Sequence, residues 1–516
     1  MWCYAFLVLL PTCLAFQLPF HLPFFTRNES LTKPTEHVVI NDVPRVAVIG
    51  AGAGGSSAAF WISKAKERFN VSIEVDVFEK ASYIGGRSIT VYPYDNSSLP
   101  PLELGASIFV AANKNLWRAS DEFNLTRQAF SAGGRTGIWD GEDLVFTFGD
   151  SWWDTIKAIV RYGVLAPKRT QQIVKSAVER YLTIYSLESP KWDSIADVSA
   201  ALGYSNMTKD TAASFFAEAG VARRFAFELI EGATRVNYGQ NLDDIHGLGG
   251  VLSLATDDAR GIKGGNFQIF EQFLKRSGAH VHLNTEVKEI SVSASPSAQW
   301  TLKSSLGAKD YNAVILAAPF HSTGITIPSS LADLIPEQPY VHLHVTLLTT
   351  TSPKPNPAYF KRSSASVLSE MTLTTYEGVR NNKTEPEFNS LSYHGLVREG
   401  EWAVKIFSKD RMSDEFLNHV FLGQIGWVYR KEWDAYPQLT PTTTFPPIKV
   451  DRGLYYVNAF EPLISTMETE TVAARNVVDL LLHEEFNASI CDSHLPISNS
   501  PEKVTANQDF VLGWDC

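Results

Sequence analysis

Cysteine is scarce in this sequence of 516 residues, which contains only Cys3, Cys13, Cys491 and Cys516. So few cysteines exclude a disulfide-dense scaffold, and no Cys-x-x-Cys pair offers the ligand spacing of a structural zinc site. We therefore predict that the protein holds no metal.

The sequence also lacks an excess of basic residues. Its 45 lysines and arginines are outnumbered by 56 aspartates and glutamates, which gives a formal net charge of −11. Proteins that neutralise the phosphates of a nucleic acid carry the opposite balance. Nucleic acid is therefore excluded as the expected partner.

The first 25 residues carry no formally charged side chain. Their apolar run from Trp2 to Leu10 is too short to span a bilayer and has the length of a signal-peptide core. Because the small residues Cys13 and Ala15 precede a cleavage point before Phe16, we predict a signal peptide over residues 1–15 and no transmembrane span in the mature chain. The alternative is an uncleaved anchor, which the helix-breaking prolines of this segment disfavour.

Two further features agree with an oxidising lumen. Asn-x-Ser/Thr sequons, the acceptors of N-linked glycans, begin at Asn28, Asn70, Asn96, Asn124, Asn206, Asn382 and Asn487. Removal of the signal peptide leaves Cys491 and Cys516 as the mature cysteines, and we predict that they form a disulfide. Two free thiols in the polar tail are the alternative.

A β-α-β pattern begins after the polar segment that follows the leader. Residues Arg45 to Ile49 form an apolar, β-branched run typical of a buried parallel strand. Four glycines, a helix-favouring segment and a second strand that ends in Glu79 follow. This is the setting in which a Gly-x-Gly-x-x-Gly turn binds a dinucleotide.

Each residue of this turn has a physical role. Gly50 permits the tight turn, Gly52 and its neighbour Gly54 let the backbone approach a pyrophosphate, and Gly55 allows close packing of strand and helix. Glu79 places a carboxylate where ribose hydroxyls bind and where a 2′-phosphate is repelled. The sequence therefore predicts a dinucleotide site, with a purely structural glycine turn as the alternative.

The remaining patterns predict an α/β fold (α+β overall). In this fold a Rossmann-type domain is interleaved with a substrate domain, and the substrate domain contains a mixed sheet and a helical insert. Apolar residues at i, i+3, i+4 and i+7 predict the insert, and strand patterns return at 280–293, 312–318, 341–350 and 454–458. The predicted parts are the signal peptide (1–15), the cofactor domain (45–134, 261–320 and 451–486), the helical insert (135–260), the rest of the substrate domain (321–450) and the polar tail (487–516).

Residues Phe78 to Ser88, FEKASYIGGRS, resemble the glycine-pair-and-arginine signature of the amine oxidase-like flavoproteins. The resemblance implies a domain of the glutathione reductase and amine oxidase type, with FAD in place of NAD. It also implies cofactor contacts at Lys80, Gly86 and Arg87, with the guanidinium donating to the pyrophosphate. No cysteine or histidine lies in the matched motifs, so we expect FAD to be bound non-covalently.

Two shorter segments are similar to other parts of the same signature. Leu102 to Ala106, LELGA, is similar to the segment beside the flavin ring, where Gly105 and Ala106 would leave room for the flat ring. The Thr-Glu-Val at 285–287 is similar to the strand whose backbone at Val287 holds the adenine.

A narrower resemblance is to the prenylcysteine oxidases, also called farnesylcysteine lyases. It rests on RVNYGQ at 235–240, Gly-Gly-Asn at 264–266 and YYVNAFEPLISTMETETVAARNVV at 455–478. It implies that Glu461 contacts the ribityl–pyrophosphate region and that Met467 and Glu468 begin a helix under the flavin. The family's Tyr-x-His pattern makes His342 the candidate for orienting water or substrate, with a core histidine as the alternative.

The resemblance implies oxidation of the thioether of an S-prenylcysteine by O2 and water to cysteine, a prenyl aldehyde and H2O2. An apolar tunnel is then expected, and we predict its wall from the aromatics of the insert, Trp152, Trp153, Phe215, Phe216, Phe225 and Phe227. Arg235 either faces the substrate carboxylate or belongs to a structural pair.

Two other functions stay open at this stage. The first is a flavin oxidase of an amine or of a prenylated metabolite, because fold does not fix function. The second is a non-catalytic lumenal FAD-binding protein. The resemblance implies that the protein is located in the lysosome or vacuole, and secretion is the second choice. Association with a membrane surface is compatible with either location.

Overall fold

A computed structural model describes residues 43–129, 134–149, 151–189, 191–366, 368–491 and 510–516. The predicted signal peptide and Asn28 lie outside the described residues. The strands are β1 (Arg45–Ile49), β2 (Glu74–Phe78), β3 (Thr90–Val91), β4 (Leu102–Glu103), β5 (Arg127–Ala129), β6 (Thr136–Trp139), β7 (Leu144–Phe148), β8 (Arg260–Ile262), β9 (His280–His282), β10 (Val287–Val292), β11 (Trp300–Ser304), β12 (Gly307–Tyr311), β13 (Ala313–Leu316), β14 (Tyr340–Thr350), β15 (Met371–Thr374), β16 (Ser390–Arg398), β17 (Glu401–Ser408), β18 (Ile425–Pro437), β19 (Lys449–Asp451) and β20 (Leu454–Tyr456).

The helices are α1 (Ala53–Phe69), α2 (Lys114–Glu122), α3 (Trp152–Tyr162), α4 (Leu165–Leu182), α5 (Ile195–Ala201), α6 (Ser205–Thr208), α7 (Ala212–Glu218), α8 (Arg223–Phe225), α9 (Glu231–Tyr238), α10 (Gly247–Leu252), α11 (Phe267–Ser277), α12 (Phe320–Thr323), α13 (Ser329–Ala332), α14 (Glu377–Arg380), α15 (Asp414–Val420) and α16 (Met467–Phe486). Single 3₁₀ or π turns span Pro93–Asp95, Thr183–Tyr185, Ala226–Ile230 and Val457–Phe460. Among these helices none is long and apolar enough to cross a bilayer.

The first sheet has six strands in the order β19-β20-β13-β1-β2-β9. All its pairs are parallel except the edge pair β19–β20. In the central strand β1, Val46, Ala47 and Val48 are fully buried, as expected for a parallel sheet covered by helices on both faces. The predicted α/β fold with a Rossmann-type β-α-β unit is confirmed.

The second large sheet has seven strands in the order β18-β14-β17-β16-β15-β6-β7, and only β6 and β15 pair in parallel. Its strands come from both sides of the helical segment α3–α10 in the sequence. Two details differ from the sequence prediction. Strands β6 and β7, assigned to the helical insert, belong to this sheet, and the strand expected over 280–293 is divided into β9 and β10.

The C-terminal segment returns to the first helix of the chain. Cys491 and Cys516 form a disulfide with their Cα atoms 5.2 Å apart, as the sequence predicts. The ring of Trp514 lies 5.1 Å from that of Phe60, and Arg68 donates to the Gly513 and Trp514 carbonyl oxygens. These contacts anchor residues 510–516 on α1.

The turn from β1 to α1 depends on two glycines. Gly50 has a φ of +104°, which is accessible to glycine but strained for other residues. A Cβ on Gly55 would lie only 1.9 Å from the Gly50 carbonyl oxygen. Any side chain at Gly55 would therefore push α1 away from β1.

This geometry predicts a stability defect for Gly55→Ala. The added methyl has no space, so we expect the free energy of unfolding to fall by at least about 1–3 kcal/mol, the usual cost of overpacking. Gly134→Ala is the matched control, because a Cβ there meets nothing within 4 Å. Urea denaturation of both variants checks this, and equal stability of the two would contradict the packing argument.

Candidate active site

A cavity of about 1170 Å³ opens at the carboxyl ends of β1, β2 and β13 and extends to the seven-stranded sheet. This is the edge of a parallel sheet at which α/β proteins bind ligands. Single-ligand pockets are typically about 300–1,000 Å³, so the cavity has room for a dinucleotide and a second molecule.

Thirteen of the fourteen residues predicted to contact the cofactor line this cavity. They are Gly50, Gly52, Gly54, Glu79, Lys80, Gly86, Arg87, Gly105, Ala106, Val287, Glu461, Met467 and Glu468. Gly55 does not line it, which agrees with its packing role behind the turn. The structure thus brings together residues that are separated by more than 400 positions in the sequence.

The glycine turn forms one end of the cavity. Gly52 is the N-cap of α1, and the first turn of this helix contains no acidic residue. A Cβ on Gly86 would lie 3.3 Å from the Gly52 Cα, so the two backbones approach closely. The N-terminus of α1 therefore presents free N–H groups and the positive end of the helix dipole, which suit a pyrophosphate.

Glu79 is held in a fixed orientation at the end of β2. Its Oε2 accepts from the Ala51 N–H at 2.9 Å, and its Oε1 accepts from the Ala81 N–H at 2.8 Å. A carboxylate oxygen has two lone-pair sites, so each oxygen can still accept from a ribose hydroxyl. This arrangement suits the adenosine ribose predicted from the sequence.

The buried carboxylate of Glu461 meets the half-buried side chains of Arg87 and Tyr340 between the two sheets. The Glu461 carboxylate accepts from both the Arg87 guanidinium and the Tyr340 hydroxyl, and Arg87 also donates to the Ala435 carbonyl oxygen at 3.0 Å. Burial lowers the pKa of Arg87, but the charges of Glu461 and Tyr340 and the hydrogen bond to Glu461 together outweigh burial and raise this pKa above its ordinary value. These bonds use two of the five guanidinium N–H groups, which leaves others for a phosphate.

The first two residues of α16, Met467 and Glu468, also line the cavity. The Glu468 carboxylate accepts from the backbone N–H groups of Asn115 and Leu116 and from the Tyr185 hydroxyl. Burial raises the pKa of Glu468 to about 7, although these hydrogen bonds oppose the shift. Glu468 therefore joins α16 to α2, while Met467 completes the cavity wall.

Four buried polar atoms in the lining lack a hydrogen-bond partner in the part of the chain that is described. They are Ser88 Oγ, Trp433 Nε1, Asn458 Oδ1 and Glu470 Oε1. Unpaired buried polar atoms are rare because each costs free energy, and a polar ligand would satisfy them. With the glycine turn and Glu79, they fit FAD.

Gly105 has a packing role that the sequence did not predict. A Cβ there would lie 2.6 Å from the Arg87 carbonyl oxygen and 2.9 Å from the Trp433 ring. The glycine is thus required for packing against protein atoms, in addition to its place in the cavity lining.

Part of the cavity lining is apolar. Its wall includes Val178, Val236, Leu252, Leu254, Met371 and Leu373. The six aromatics predicted as the wall do not line it. Phe216 and Phe227 are core residues and Trp152 and Trp153 are exposed, so that prediction is wrong. Helical spacing identifies an apolar face but does not show which structure covers it.

Arg235 also lies outside this lining. Its guanidinium donates to Thr374 Oγ1, Asn241 Oδ1 and Asn389 Oδ1 at 2.6–3.0 Å. The sequence left open whether Arg235 faces the substrate carboxylate or has a structural role. These contacts agree with the structural role.

A polar cluster interrupts the apolar wall at strands β16 and β17. Lys405 is 5% exposed, and its Nζ donates to Ser107 Oγ at 2.9 Å. Burial lowers the pKa of Lys405 to about 8, and the neighbouring charge of Glu103 opposes this. On the adjacent strand, His394 Nε2 and Ser392 Oγ lie 2.8 Å apart, and burial lowers the pKa of His394 to about 3.

Sequence analysis missed this cluster because β16 and β17 were not recognised as strands. A signal was present, since Lys405 interrupts the apolar run AVKIF at 403–407. A lysine inside such a run is either buried or at a strand edge, and buried lysines are rare outside functional sites.

His342, the predicted catalytic residue, is absent from the cavity lining. Its side chain is 57% exposed and its Nδ1 lies 3.1 Å from Asp434 Oδ1 on β18. Side chains alternate along β14, so Leu343 and Val345 point to the buried face and His342 joins His344 on the other. This position does not support a catalytic role for His342.

Comparison with known proteins identifies similar families and a similar fold. The family model described as Prenylcysteine lyase matches residues 147–493, and that of an NAD(P)-binding Rossmann-like domain matches residues 48–123. Cyclohexylamine oxidase from Brevibacterium oxydans has a similar fold, with a TM-score of 0.57 and 14% identity over 86% of this chain and 99% of its own.

Two curated relatives cover most of the chain. Farnesylcysteine lyase of Arabidopsis thaliana is 30% identical, over 85% of this chain and 88% of its own length. Prenylcysteine oxidase 1 of Homo sapiens is 26% identical, over 85% and 89%. The resemblance inferred from the sequence is confirmed, and the chain belongs to the prenylcysteine lyase family.

Proposed function

We propose that this protein is an FAD-dependent oxidase that cleaves S-prenylcysteine with O2 and water to cysteine, a prenyl aldehyde and H2O2. One observation carries the proposal: a single cavity joins the dinucleotide cradle to an apolar wall that contains one buried polar cluster. A prenylated amino acid has the matching shape, because it combines a long apolar chain with a small charged head.

The cofactor would be held by the residues of the cradle. The α1 N-terminus and Arg87 would bind the pyrophosphate, Glu79 the ribose, and the backbone at Val287 the adenine. FAD, when bound, supplies an acceptor for the hydride lost from the carbon next to sulfur and passes the electrons to O2. The protein itself needs to orient the substrate and shield the reaction, so a strong base is not required.

The apolar wall would bind the prenyl chain. Each buried CH2 contributes about 0.8 kcal/mol, so the wall formed by residues such as Val236, Leu252 and Leu373 can hold a chain of this kind without polar contacts. The chain would thereby fix the position of the thioether relative to the cradle.

The polar cluster would bind the amino-acid head. In the substrate, sulfur is separated from the α-carbon by one methylene, so the head must lie close to the reacting carbon. Lys405 contacts Ser107, next to the Gly105–Ala106 segment of the cradle. Its ammonium can pair with the substrate carboxylate, while the neutral His394 and Ser392 can hydrogen-bond to the head.

The function is tested by product analysis. Purified protein mixed with S-farnesylcysteine is expected to release H2O2, farnesal and cysteine in equal amounts, measured by peroxidase coupling and mass spectrometry. Putrescine and S-methylcysteine serve as controls, because neither has a prenyl chain and we expect no turnover. The proposal is refuted if no S-prenylcysteine is oxidised.

Lys405→Met tests the head-group assignment. Loss of a charge-assisted hydrogen bond costs about 1.5–3 kcal/mol, so we expect KM for S-farnesylcysteine to rise about 10- to 100-fold with kcat little changed. Lys431→Met, an exposed lysine of the same lining, is the matched control. S-farnesylcysteamine lacks the carboxylate, and an equal rise in KM for that substrate would contradict the assignment.

The same pair of proteins gives a pH test. The pKa of Lys405 is lowered from its ordinary value of 10.5 to about 8, so the folded protein loses this charge as pH rises through about 8. In the wild type, KM is expected to rise above that pH and to be flat below it. The ionisation of the substrate is common to both proteins. The KM of Lys405→Met should therefore show only the pH dependence that comes from the substrate and should lack the rise that comes from Lys405.

We also propose that the chain enters the secretory pathway and acts in a lysosome or vacuole. All six sequon asparagines within the described residues, Asn70, Asn96, Asn124, Asn206, Asn382 and Asn487, are exposed. This supports glycosylation, as does the Cys491–Cys516 disulfide. Protein from a eukaryotic host should begin at Phe16 and lose mass with an N-glycosidase, and an intact leader with no glycan would refute this proposal.

A further inference from the structure

Strand β14 carries two histidines that the proposed reaction does not use. His342 and His344 are two positions apart, so they share one face of the strand, and their ring centroids lie 5.5 Å apart. The His342 side chain is 57% exposed and the His344 side chain is 17% exposed. Both imidazoles therefore reach the surface on the face opposite Leu343 and Val345.

The edge strand β18 places a carboxylate opposite each histidine. In the antiparallel register of the two strands, His342 pairs with Asp434, and its Nδ1 lies 3.1 Å from Asp434 Oδ1. His344 pairs with Glu432 in the same register, and its Nδ1 lies 3.7 Å from Glu432 Oε2. Two imidazoles and two carboxylates thus meet on one surface of the sheet.

Three of these four side chains can reach a single ion. One ligand atom from each of His342, His344 and Glu432 lies within 4.8 Å of the others. The ligand atoms around a tetrahedral zinc ion, with bonds of about 2.0–2.1 Å, are about 3.3 Å apart. Small rotations of side chains at the surface would close this difference. In the part of the chain that is described, no second group of three histidine, cysteine or acidic side chains converges in this way.

We propose that His342, His344 and Glu432 form a binding site for a zinc ion. Two imidazoles and one carboxylate are a ligand set that zinc accepts with water in its fourth position, whereas Mg²⁺ and Ca²⁺ prefer oxygen ligands. Asp434 would accept from one ring nitrogen of His342, which fixes the ring and leaves the other nitrogen for the ion.

The other basic residues of β18 do not compete with the ion for this position. Arg430 follows the same face of the strand, but its guanidinium donates to the Met412 carbonyl oxygen and pairs with Asp414. Lys431 is on the opposite face, where it lines the large cavity. Neither side chain is therefore available to pair with Glu432.

Further charged groups surround a cavity of about 220 Å³ that His342 also lines. Arg235 and Lys409 contribute two positive charges there, and Glu385 contributes one negative charge. The two carboxylates of β18 add two negative charges. The local balance, without the histidines, is therefore negative and favours a cation.

The zinc site is independent of the proposed reaction, because none of its three ligands lines the large cavity. The ion would join the edge strand β18 to β14, so its expected effect is on the stability of the sheet. The sequence predicted no metal because it lacks Cys-x-x-Cys pairs. A site shared by two strands leaves no such spacing, since 92 positions separate His342 from Asp434.

Calorimetric titration with zinc chloride tests the proposal on the full mature protein, purified without a polyhistidine tag and dialysed against EDTA. Wild type is expected to bind one zinc ion per chain, and Cys491 and Cys516 do not compete because they form a disulfide. Loss of a residue that only orients a ligand weakens metal binding about 10- to 100-fold. We therefore expect Kd to rise about tenfold in Asp434→Asn and at least about 100-fold in His342→Ala and in Glu432→Gln.

The matched control is His280→Ala. His280 and His282 form another His-x-His pair on an edge strand, β9, but His282 is bonded to Asp76, and no third ligand joins them among the described residues. This variant should bind zinc as wild type does. Wild type that binds no zinc, or a His342→Ala variant that keeps the wild-type Kd, overturns the proposal. So does displacement of zinc by an equal concentration of Ca²⁺ or Mg²⁺.

Two further measurements do not rely on Kd. Saturating zinc should raise the Tm of wild type and leave that of His342→Ala unchanged, because an ion that binds only the folded state stabilises it. X-ray absorption of the zinc-loaded wild type should show two imidazole ligands with Zn–N distances of about 2.0–2.1 Å. A shell of oxygen atoms alone would overturn the proposal even if a variant failed to fold.

Discussion

The cavity depends on one buried carboxylate, that of Glu461. It lies just after the final strand of the six-stranded sheet and binds Arg87, which follows β2, and Tyr340, the first residue of β14 in the seven-stranded sheet. An uncompensated buried charge costs several kcal/mol, so these three elements are stabilised only when they meet. The glycine-turn end and the apolar wall of the cavity are therefore fixed relative to each other by the same contact.

The sequence allowed us to predict most of the residues at one end of the cavity, which is formed by the glycine turn, Glu79 and Arg87. This end is built from local features, namely a glycine turn with positive φ, a glutamate that directly follows β2 and the helix that begins at Met467. Such features leave a signature in consecutive residues. This explains why the sequence predicts a common ligand for Gly50, Gly86, Arg87 and Glu461, which are far apart in the chain.

The part of the cavity lined by β15, β16 and β17 could not be predicted in the same way. Its polar cluster depends on the register between β16 and β17, which places Ser392 opposite Lys405. Register is set by pairing over the whole sheet, not by a local pattern. The position of His342 could not be predicted for the same reason, because a Tyr-x-His motif does not reveal which face of β14 is covered. The aromatics of α3 were misassigned because a buried and an exposed apolar helix face have the same periodicity.

The central claim is that the dinucleotide and the prenylated substrate share one cavity and react within it. It is tested most directly by mixing the purified protein with S-farnesylcysteine in the absence of O2 and recording the visible absorbance of the flavin. The account predicts that the flavin bleaches and that one cysteine is released per flavin. A flavin that stays oxidised, or one that is bleached equally by putrescine, would contradict it.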